Sequence, residues 1–505
     1  MESIINTIVS RPPGPGHHLR VIGLDGTETI SLPDLYEEAG RLAAHLHDQG
    51  VRRGDRIGIL APNCLEWVLL DLAALRLGAV TAGFEPGKFE ATDDLRTRYD
   101  LKLLFTDRTA KEARQEAAAA TAAAFPRRQP RPPVPHYAPD DVTTLKFTSG
   151  STGQPKGLAA SVGSIDSSLH AVQGMFEHGE GDDLFVFLPL SLLQQRYWIY
   201  SALRFGHDVT VSTYEAAFLA MRQTRPTVVM GVPGFYESAM KHIGARSATT
   251  GRTPHDEARR LFGDRIRYLW TGSAPASATM LRFFTSLGLP IFEGYGLNET
   301  CIVSKNHPGA HREGSVGRVL PGKHVLIDPA SGAVSVRGDH PVNTRYAYAR
   351  PGDSERMFAP DGTVRTGDVG HIDEDGFLYI HGRADDTIVL DNGRKVVVRP
   401  IEEAMKASPA IAECVIFCPG QTALVAVVSP TQAPPDGDAI AAHLDHTNAT
   451  LERDERITKI VIADPPFSID GDTLTSQYKP KRSRILELYR AEIHDSDRGI
   501  HARTR

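Results

Sequence analysis

Cysteine is scarce. The 505-residue chain holds four, Cys64, Cys301, Cys414 and Cys418. Only Cys414 and Cys418 are near neighbours, and no further Cys or His stands beside them at zinc spacing. That excludes a disulfide scaffold and a structural zinc site, and leaves reduced thiols in a cytoplasmic setting. Long apolar runs are missing too. With no stretch of about 18 apolar residues, no membrane span is expected. The first twenty residues show no basic-then-apolar leader pattern. A basic excess is also absent: 56 Lys and Arg face 62 Asp and Glu, for a net charge of −6. This argues against a nucleic-acid partner, although Pro126–Arg131, "PRRQPR", is a local basic patch. There is no internal repeat. His17 and His18 have no adjacent carboxylate or cysteine and read as solvated loop.

What is present is the balance of a globular protein, 41% hydrophobic and 23% charged. The length suggests about 2–4 domains or subdomains. Residues 31–50, "SLPDLYEEAGRLAAHLHDQG", predict an amphipathic helix with Ser31 as N-cap, Pro33 in the first turn and Gly50 at its end. "DRIGILAP" is a buried strand, "CLEWVLLDLAALRLG" a helix closed by Gly78, and "VTAGFEP" the next strand. Strand, helix, strand at this spacing is a β-α-β unit with a parallel sheet. An Ala-rich helix, "KEARQEAAAATAAAF", precedes a Pro/Arg connector that leads to the strand "VTTLKF". The alternation resumes from Asp183 to about Thr300. Short strands with turns over about 314–380 suggest a β-rich subdomain, and a smaller α+β pattern follows Gly382. The expected architecture is α/β. Residues 1–382 form a large N-terminal domain of doubly wound β-α-β subdomains with that β-rich part. Residues 383–505 form a small, mobile α+β domain.

The chemistry concentrates in "FTSGSTGQPKGL", Phe147–Leu158. Hydroxyls, backbone N–H groups bared by glycine, and one lysine suit a polyphosphate. A Walker loop would place Ser or Thr after the lysine and then enter a helix. Here Gly157 follows Lys156, and Pro155 stands where a helix should begin. The loop therefore reads as a phosphate-binding turn between strands.

"FTSGSTGQPKG" resembles the phosphate loop of the adenylate-forming superfamily, which includes acyl- and aryl-CoA synthetases, luciferases and peptide-synthetase adenylation domains. "GDRIGILAPNCLEWVLLDLAALRLGAV", "RPTVVMGVPGFYE", "GYGLNET", "RTGDVGHIDEDGFLYIHGRADDTIVLDNGRKV" and "LTSQYKPKR" resemble further blocks of that family, in the expected order. The likeness spans about residues 20 to 490 and is nearest the long-chain acyl-CoA synthetase branch.

The resemblance implies an ATP-binding, large N-terminal domain and a C-terminal domain carrying a catalytic lysine. It implies that an oxyanion attacks the α-phosphate of ATP, releasing pyrophosphate. Thr148, Ser149, Gly150, Ser151, Thr152, Gly153 and Lys156 would position the phosphates. Glu299 would be the Mg2+ carboxylate, Tyr295 would stack near adenine, and Gly296 and Thr300 would lie beside it, Thr300 near the α-phosphate. Gly272, Ser273 and Ala274, in "TGSAP", would line the nucleotide and substrate pocket. Asp368 and Arg383 would contact the ribose, and Asp385 would be the hinge. Lys479 would bridge the attacking oxyanion and the phosphate. Thr148, Glu299 and Lys479 are thus the catalytic candidates. Retention of Lys156, Glu299, Asp368, Arg383 and Lys479 argues against a retired enzyme that only binds nucleotide.

"LPLSLLQQRYW" departs from the branch it resembles. Leu192 stands where that branch carries histidine, and Gln195 where it often has an acid, while Arg196 is kept. With Gly231, these residues form the expected substrate pocket. The leading expectation is an AMP-forming ligase that activates a fatty or aromatic acid and transfers it to coenzyme A, with a carrier-protein thiol as another acceptor. The alternative is an ATP- and nitrite-dependent diazotase acting on an aromatic amine in specialised metabolism, such as antibiotic biosynthesis.

Overall fold

Ser31 opens the first long helix. Its hydroxyl accepts the backbone N–H of Asp34 at 3.1 Å, and Pro33 sits in the first turn of Leu32–Asp48. Gly50 follows in the left-handed region, with φ 88°. The helix Leu65–Leu77 is buried along its whole length and stops at Gly78, φ 72°, where a side chain would be strained. It connects two parallel strands, Arg56–Leu60 and Val80–Phe84, paired from Arg56 opposite Val80. That is the β-α-β unit the sequence predicted.

The computed structural model describes residues 2–123, 132–147, 155–384, 387–392, 394–474, 480–495 and 499–501. The chain divides into two units. The first comprises Met1–Leu326, Ser335–Thr366 and Asp373–Leu378; the second comprises Ile327–Val334, Gly367–Ile372 and Tyr379–Arg505.

The first unit holds two sheets. One has five strands, in the order Leu101–Thr106, Arg56–Leu60, Val80–Phe84, Val142–Phe147, Gly157–Ser161. The other has nine, in the order Arg318–Val319, Cys301–Lys305, Ile291–Leu297, Tyr268–Thr271, Val228–Met230, Asp183–Val186, Asp208–Ser212, His18–Ile22, Thr27–Ser31. Its centre is parallel and its edges are antiparallel. The class is α/β, as the sequence predicted.

Some elements escaped the sequence reading. The helices Ile4–Ser10, Val162–Phe176, Pro233–Thr250 and Pro254–Phe262 are all present. The Ala-rich helix begins at Asp107, four residues before the expected start at Lys111, with the Thr106 hydroxyl receiving the Thr109 N–H. The helix expected from Tyr197 begins at Leu193. In the stretch expected to be β-rich, the strands are Lys323–Ile327, Ala333–Gly338, Val364–Ile372 and Leu378–Arg383, and the chain passes between the two units along them.

The second unit has its own apolar core, in which Ile401, Met405, Ile416, Val428 and Ile460 are buried. Its strands Ile411–Phe417, Leu424–Pro430, Ile457–Ile462 and Ile500–His501 form one sheet, covered by helices that include Arg399–Lys406 and Gly437–Thr450. The pairing of Thr387–Val389 with Lys395–Val397 adds a short hairpin.

Candidate active site

The nine-stranded sheet sets the site's position. Its register aligns Met230 with both Val186 and Trp270, and Thr271 with Glu293. The carboxyl ends of four parallel strands therefore share one edge. The segments leaving it are "LPLS", "GVP", "GSAP" and "GYG". The crevice outside such strand ends is where open α/β sheets bind ligands.

Gly231 is required there by packing. A Cβ would lie 2.7 Å from the ring of Tyr236, whose hydroxyl donates to the carbonyls of Val229 and Trp270 at 2.9 and 3.0 Å. Ser273 takes φ 69° beside Gly272 and half-buried Ala274. Tyr295 and Gly296 flank an irregularity in the hairpin formed with Cys301–Lys305. A Cβ on Gly296 would fall 2.0 Å from the Cys301 carbonyl oxygen. The tip, Asn298–Glu299, is held by Thr300, whose hydroxyl accepts the Leu297 N–H at 3.0 Å and donates to the Cys301 carbonyl at 3.0 Å.

Glu299 and Lys156 meet through a residue that sequence reasoning missed. The Tyr346 hydroxyl donates to Glu299 Oε1 at 2.6 Å. The Lys156 ammonium lies 5.0 Å from the centroid of the same ring and pairs with Asp353 at 3.2 Å. Two backbone hydrogen bonds, Gly157 N–H to Ala347 O and Ala347 N–H to Gly157 O, both 2.8 Å, pin the loop exit to the Tyr346 segment. Lys156 in turn holds the Asp353 carboxyl below the usual carboxylate range. The candidate residues Thr148, Ser149, Gly150, Ser151, Thr152 and Gly153 lie outside the described residues. The strands that flank them pair antiparallel, Phe147 opposite Gly157, and the chain enters a strand rather than a helix after Lys156.

The expected substrate residues fall on two segments, Gly231 just after the strand Val228–Met230 and the others at the start of one helix. Leu192 precedes the helix Leu193–Phe205 without a capping hydrogen bond, and Gln195 is buried on it. Arg196 is sealed in the interior at 1% exposure. It pairs with Asp71 at 2.7 Å, donates to Thr144 Oγ1 at 3.1 Å and lies over the Trp67 ring. The Tyr200 hydroxyl completes that cluster by donating to Asp71 at 2.5 Å.

A second buried polar group was also missed. The Lys146 ammonium is 3.6 Å from Cys301 Sγ, the Tyr197 hydroxyl is 3.3 Å from the same sulfur, and Lys323 donates to the Thr300 carbonyl at 2.9 Å. Burial opposes ionisation of Cys301, but the charges of Lys146 and Lys323 outweigh it and hold the thiol below its ordinary value. Burial lowers Lys323. The available signal was the one charged residue of the strand "VTTLKF". Nearby, Lys305 is fully buried. It donates to the carbonyls of Thr271 and Phe292 at 3.1 and 2.7 Å, tying together the strand ends that carry "GSAP" and "GYG". Burial pushes Glu293 up to about 7.

In the second unit Asp368 is buried and pairs with Arg383 at 3.2 Å. Gly367, at φ 73°, leaves room for that guanidinium, since a Cβ would lie 2.8 Å from Arg383 Nη2. Asp385 and Lys479 lie outside the described residues. Leu474 and Pro480, which flank the Lys479 segment, form an antiparallel bridge. The neighbouring cations of that basic run are each paired: Lys481 with Asp472, Arg482 with Glu402, and Arg484 with Glu487.

No cluster of three or more His, Cys, Asp or Glu side chains that could hold a metal occurs among the described residues. Glu299 alone is one hard oxygen donor. That fits a divalent cation completed by phosphate oxygens, and does not fit an all-protein cage. Among the described residues, no helix is long and apolar enough to cross a membrane.

Comparison with known proteins gives two family matches. Residues 14–340 match the AMP-binding enzyme model, and residues 385–497 match the AMP-binding enzyme C-terminal domain. The chain is 26% identical to the long-chain-fatty-acid–CoA ligase FadD15 of Mycobacterium bovis, covering 93% of this chain and 92% of that protein. It is also 26% identical to the 2-succinylbenzoate–CoA ligase of Bacillus velezensis, covering 92% and 94%. Among solved structures, o-succinylbenzoate CoA synthetase (MenE) from Bacillus subtilis, in complex with its acyl-adenylate, superposes with a TM-score of 0.75. It is 19% identical and covers 99% of each chain.

Proposed function

This chain belongs to the AMP-binding enzymes of the adenylate-forming superfamily, and from that premise we propose that it activates a fatty or aromatic carboxylate with ATP and passes the acyl group to coenzyme A. ATP-dependent activation of a carboxylate, in the manner of acyl- and aryl-CoA ligases, is the activity of its kind. The observation that carries the reading is the junction at Tyr346. It gathers the loop lysine, Lys156, and the turn carboxylate, Glu299, which are far apart in sequence.

A carboxylate oxygen attacks the α-phosphorus, the bond to the bridging oxygen breaks, and pyrophosphate leaves. The thiol of coenzyme A then attacks the acyl carbon, AMP departs, and the thiol proton passes to solvent. Positive charge aimed at the phosphates is what this step demands. Lys156 supplies it, together with the backbone and hydroxyls of residues 148–153. Glu299 would hold Mg2+, which when bound neutralises phosphate charge. Its hydrogen bond from Tyr346 fixes the direction of one carboxylate oxygen. Tyr295 and residues 272–274 take the base, Asp368 and Arg383 the ribose. Residues 1–382 bind ATP and substrate, and residues 383–505 turn about Asp385 to deliver Lys479.

A second reading keeps the adenylation step and makes nitrite the attacking oxyanion, with an aromatic amine as acceptor. The buried lysines beside Cys301 favour it, because they offer positive charge in a small space. Product analysis separates the two. Thioester and AMP formed from a carboxylate and coenzyme A support the ligase. AMP formed only with nitrite, together with a diazo chromophore, supports the second reading.

A further inference from the structure

Lys146 and Lys323 are 5% and 7% exposed. Buried ammonium groups persist where anions or acceptors compensate them. Two other buried cations of this unit have such partners, while Arg76 lies over the ring of Tyr36. Arg196 has Asp71, and Lys305 has two carbonyls, the face of Trp270 at 3.5 Å and the nearby charge of Glu293. Lys146 meets a sulfur at 3.6 Å and Lys323 a single carbonyl at 2.9 Å, and among the described residues neither has a carboxylate within ion-pair distance. The two ammonium groups also repel each other. A full negative charge on the sulfur would balance only one of the two ammonium groups, and the exposed Asp339 acts on Lys323 from beyond ion-pair distance.

The cluster abuts the Glu299 turn. Lys323 donates to the carbonyl of Thr300 at the end of that turn. We propose that Lys146 and Lys323 form a subsite for one small oxyanion group, seated behind the Glu299–Thr300 turn. Two molecules carry that chemistry: free nitrite, or the far carboxylate of a dicarboxylic substrate. The inference rests on the adenylation reading only for which of these is the substrate. Anion binding itself is tested without ATP.

The experiment is titration calorimetry of the full chain with sodium nitrite, sodium acetate and disodium succinate, on wild type, Lys146→Met, Lys323→Met and the milder Lys146→Gln. Dissociation constants for ATP serve as the folding control. Wild type is expected to bind at least one oxyanion, and each variant to weaken it by about tenfold or more, the loss of one charge-assisted hydrogen bond. ATP affinity should change by less than twofold. Nitrite binding best identifies the free ion as the source, and succinate binding better than acetate identifies the far carboxylate. Both support the site. No oxyanion bound by wild type, or equal binding in every variant that still holds ATP, overturns it. Pyrophosphate release driven by a carboxylate would survive that failure, so the two readings fail separately.

Discussion

Tyr346→Phe removes one oxygen atom and keeps the ring. The lost hydroxyl donates at 2.6 Å to Glu299, which is 7% exposed. A hydrogen bond to a charged group is worth about 1.5–3 kcal/mol, and the buried carboxylate loses a donor that water cannot readily replace. If Tyr346 holds Glu299 in the orientation the reaction needs, kcat/KM for pyrophosphate release should fall about 10–150-fold. The Mg2+ concentration for half-maximal rate should rise with it. The Lys156 contact with the ring face survives in this variant. Tyr346→Leu removes it as well and should cost about 0.5–2 kcal/mol more. The assay is coupled pyrophosphate detection across a Mg2+ series, with a thermal melt of each variant. A folded Tyr346→Phe enzyme with unchanged kcat/KM and unchanged Mg2+ dependence would refute the positioning role.

Lys479→Ala should slow adenylation by orders of magnitude and leave the ATP dissociation constant nearly unchanged, because it removes a contact made chiefly in the transition state; single-turnover kinetics at wild-type speed would show that the wrong lysine was chosen. Asp368→Ala should weaken nucleotide binding, with two ribose hydrogen bonds lost at roughly 0.5–3 kcal/mol each; an unmoved dissociation constant for AMP would end the ribose assignment. Asp71→Asn should destabilise the first unit by about 3–5 kcal/mol, since it strips a buried guanidinium of its only carboxylate among the described residues; a denaturant midpoint equal to wild type would contradict the buried pair. Burial lowers His178 to about 3 and His207 to about 4. The folded state therefore binds these protons less readily than the unfolded chain. Their stabilisation is present above about pH 6.5 and is lost as pH falls through the window below it, by about 2 kcal/mol each at pH 5. His178→Gln should flatten the fall in melting temperature between pH 7 and 5, and an identical slope would count against this account.

Local signals in the sequence gave the local structure. The Ser31 cap, the stop at Gly78 and the alternation of apolar strands with helices are short-range physics, and each stands where its residues place it. Lys156 was legible because Pro155 and Gly157 exclude the helix that a Walker loop needs. Tyr346 and Asp353 were not, since their roles come from a chain crossing almost two hundred residues after the loop, and no local pattern marks it. Arg196 was expected to line the substrate pocket, yet its guanidinium is held by Asp71 from another helix. Lys146 reads as the one charged member of a strand. Its strand lies inside the five-stranded sheet, between Val80–Phe84 and Gly157–Ser161, and its side chain is buried. Period-two patterning shows which residues share a face, but not whether that face is covered.

The most direct test is ATP cleavage in matched reactions, with AMP and pyrophosphate resolved from ADP and phosphate. One set contains fatty and aromatic carboxylates with coenzyme A; the other contains nitrite with amino-substituted aromatic acids. The account expects AMP and pyrophosphate that depend on an oxyanion acceptor, with a thioester in the first set. ADP and phosphate as the products, or no turnover with any acid in either set despite ATP binding, would contradict it.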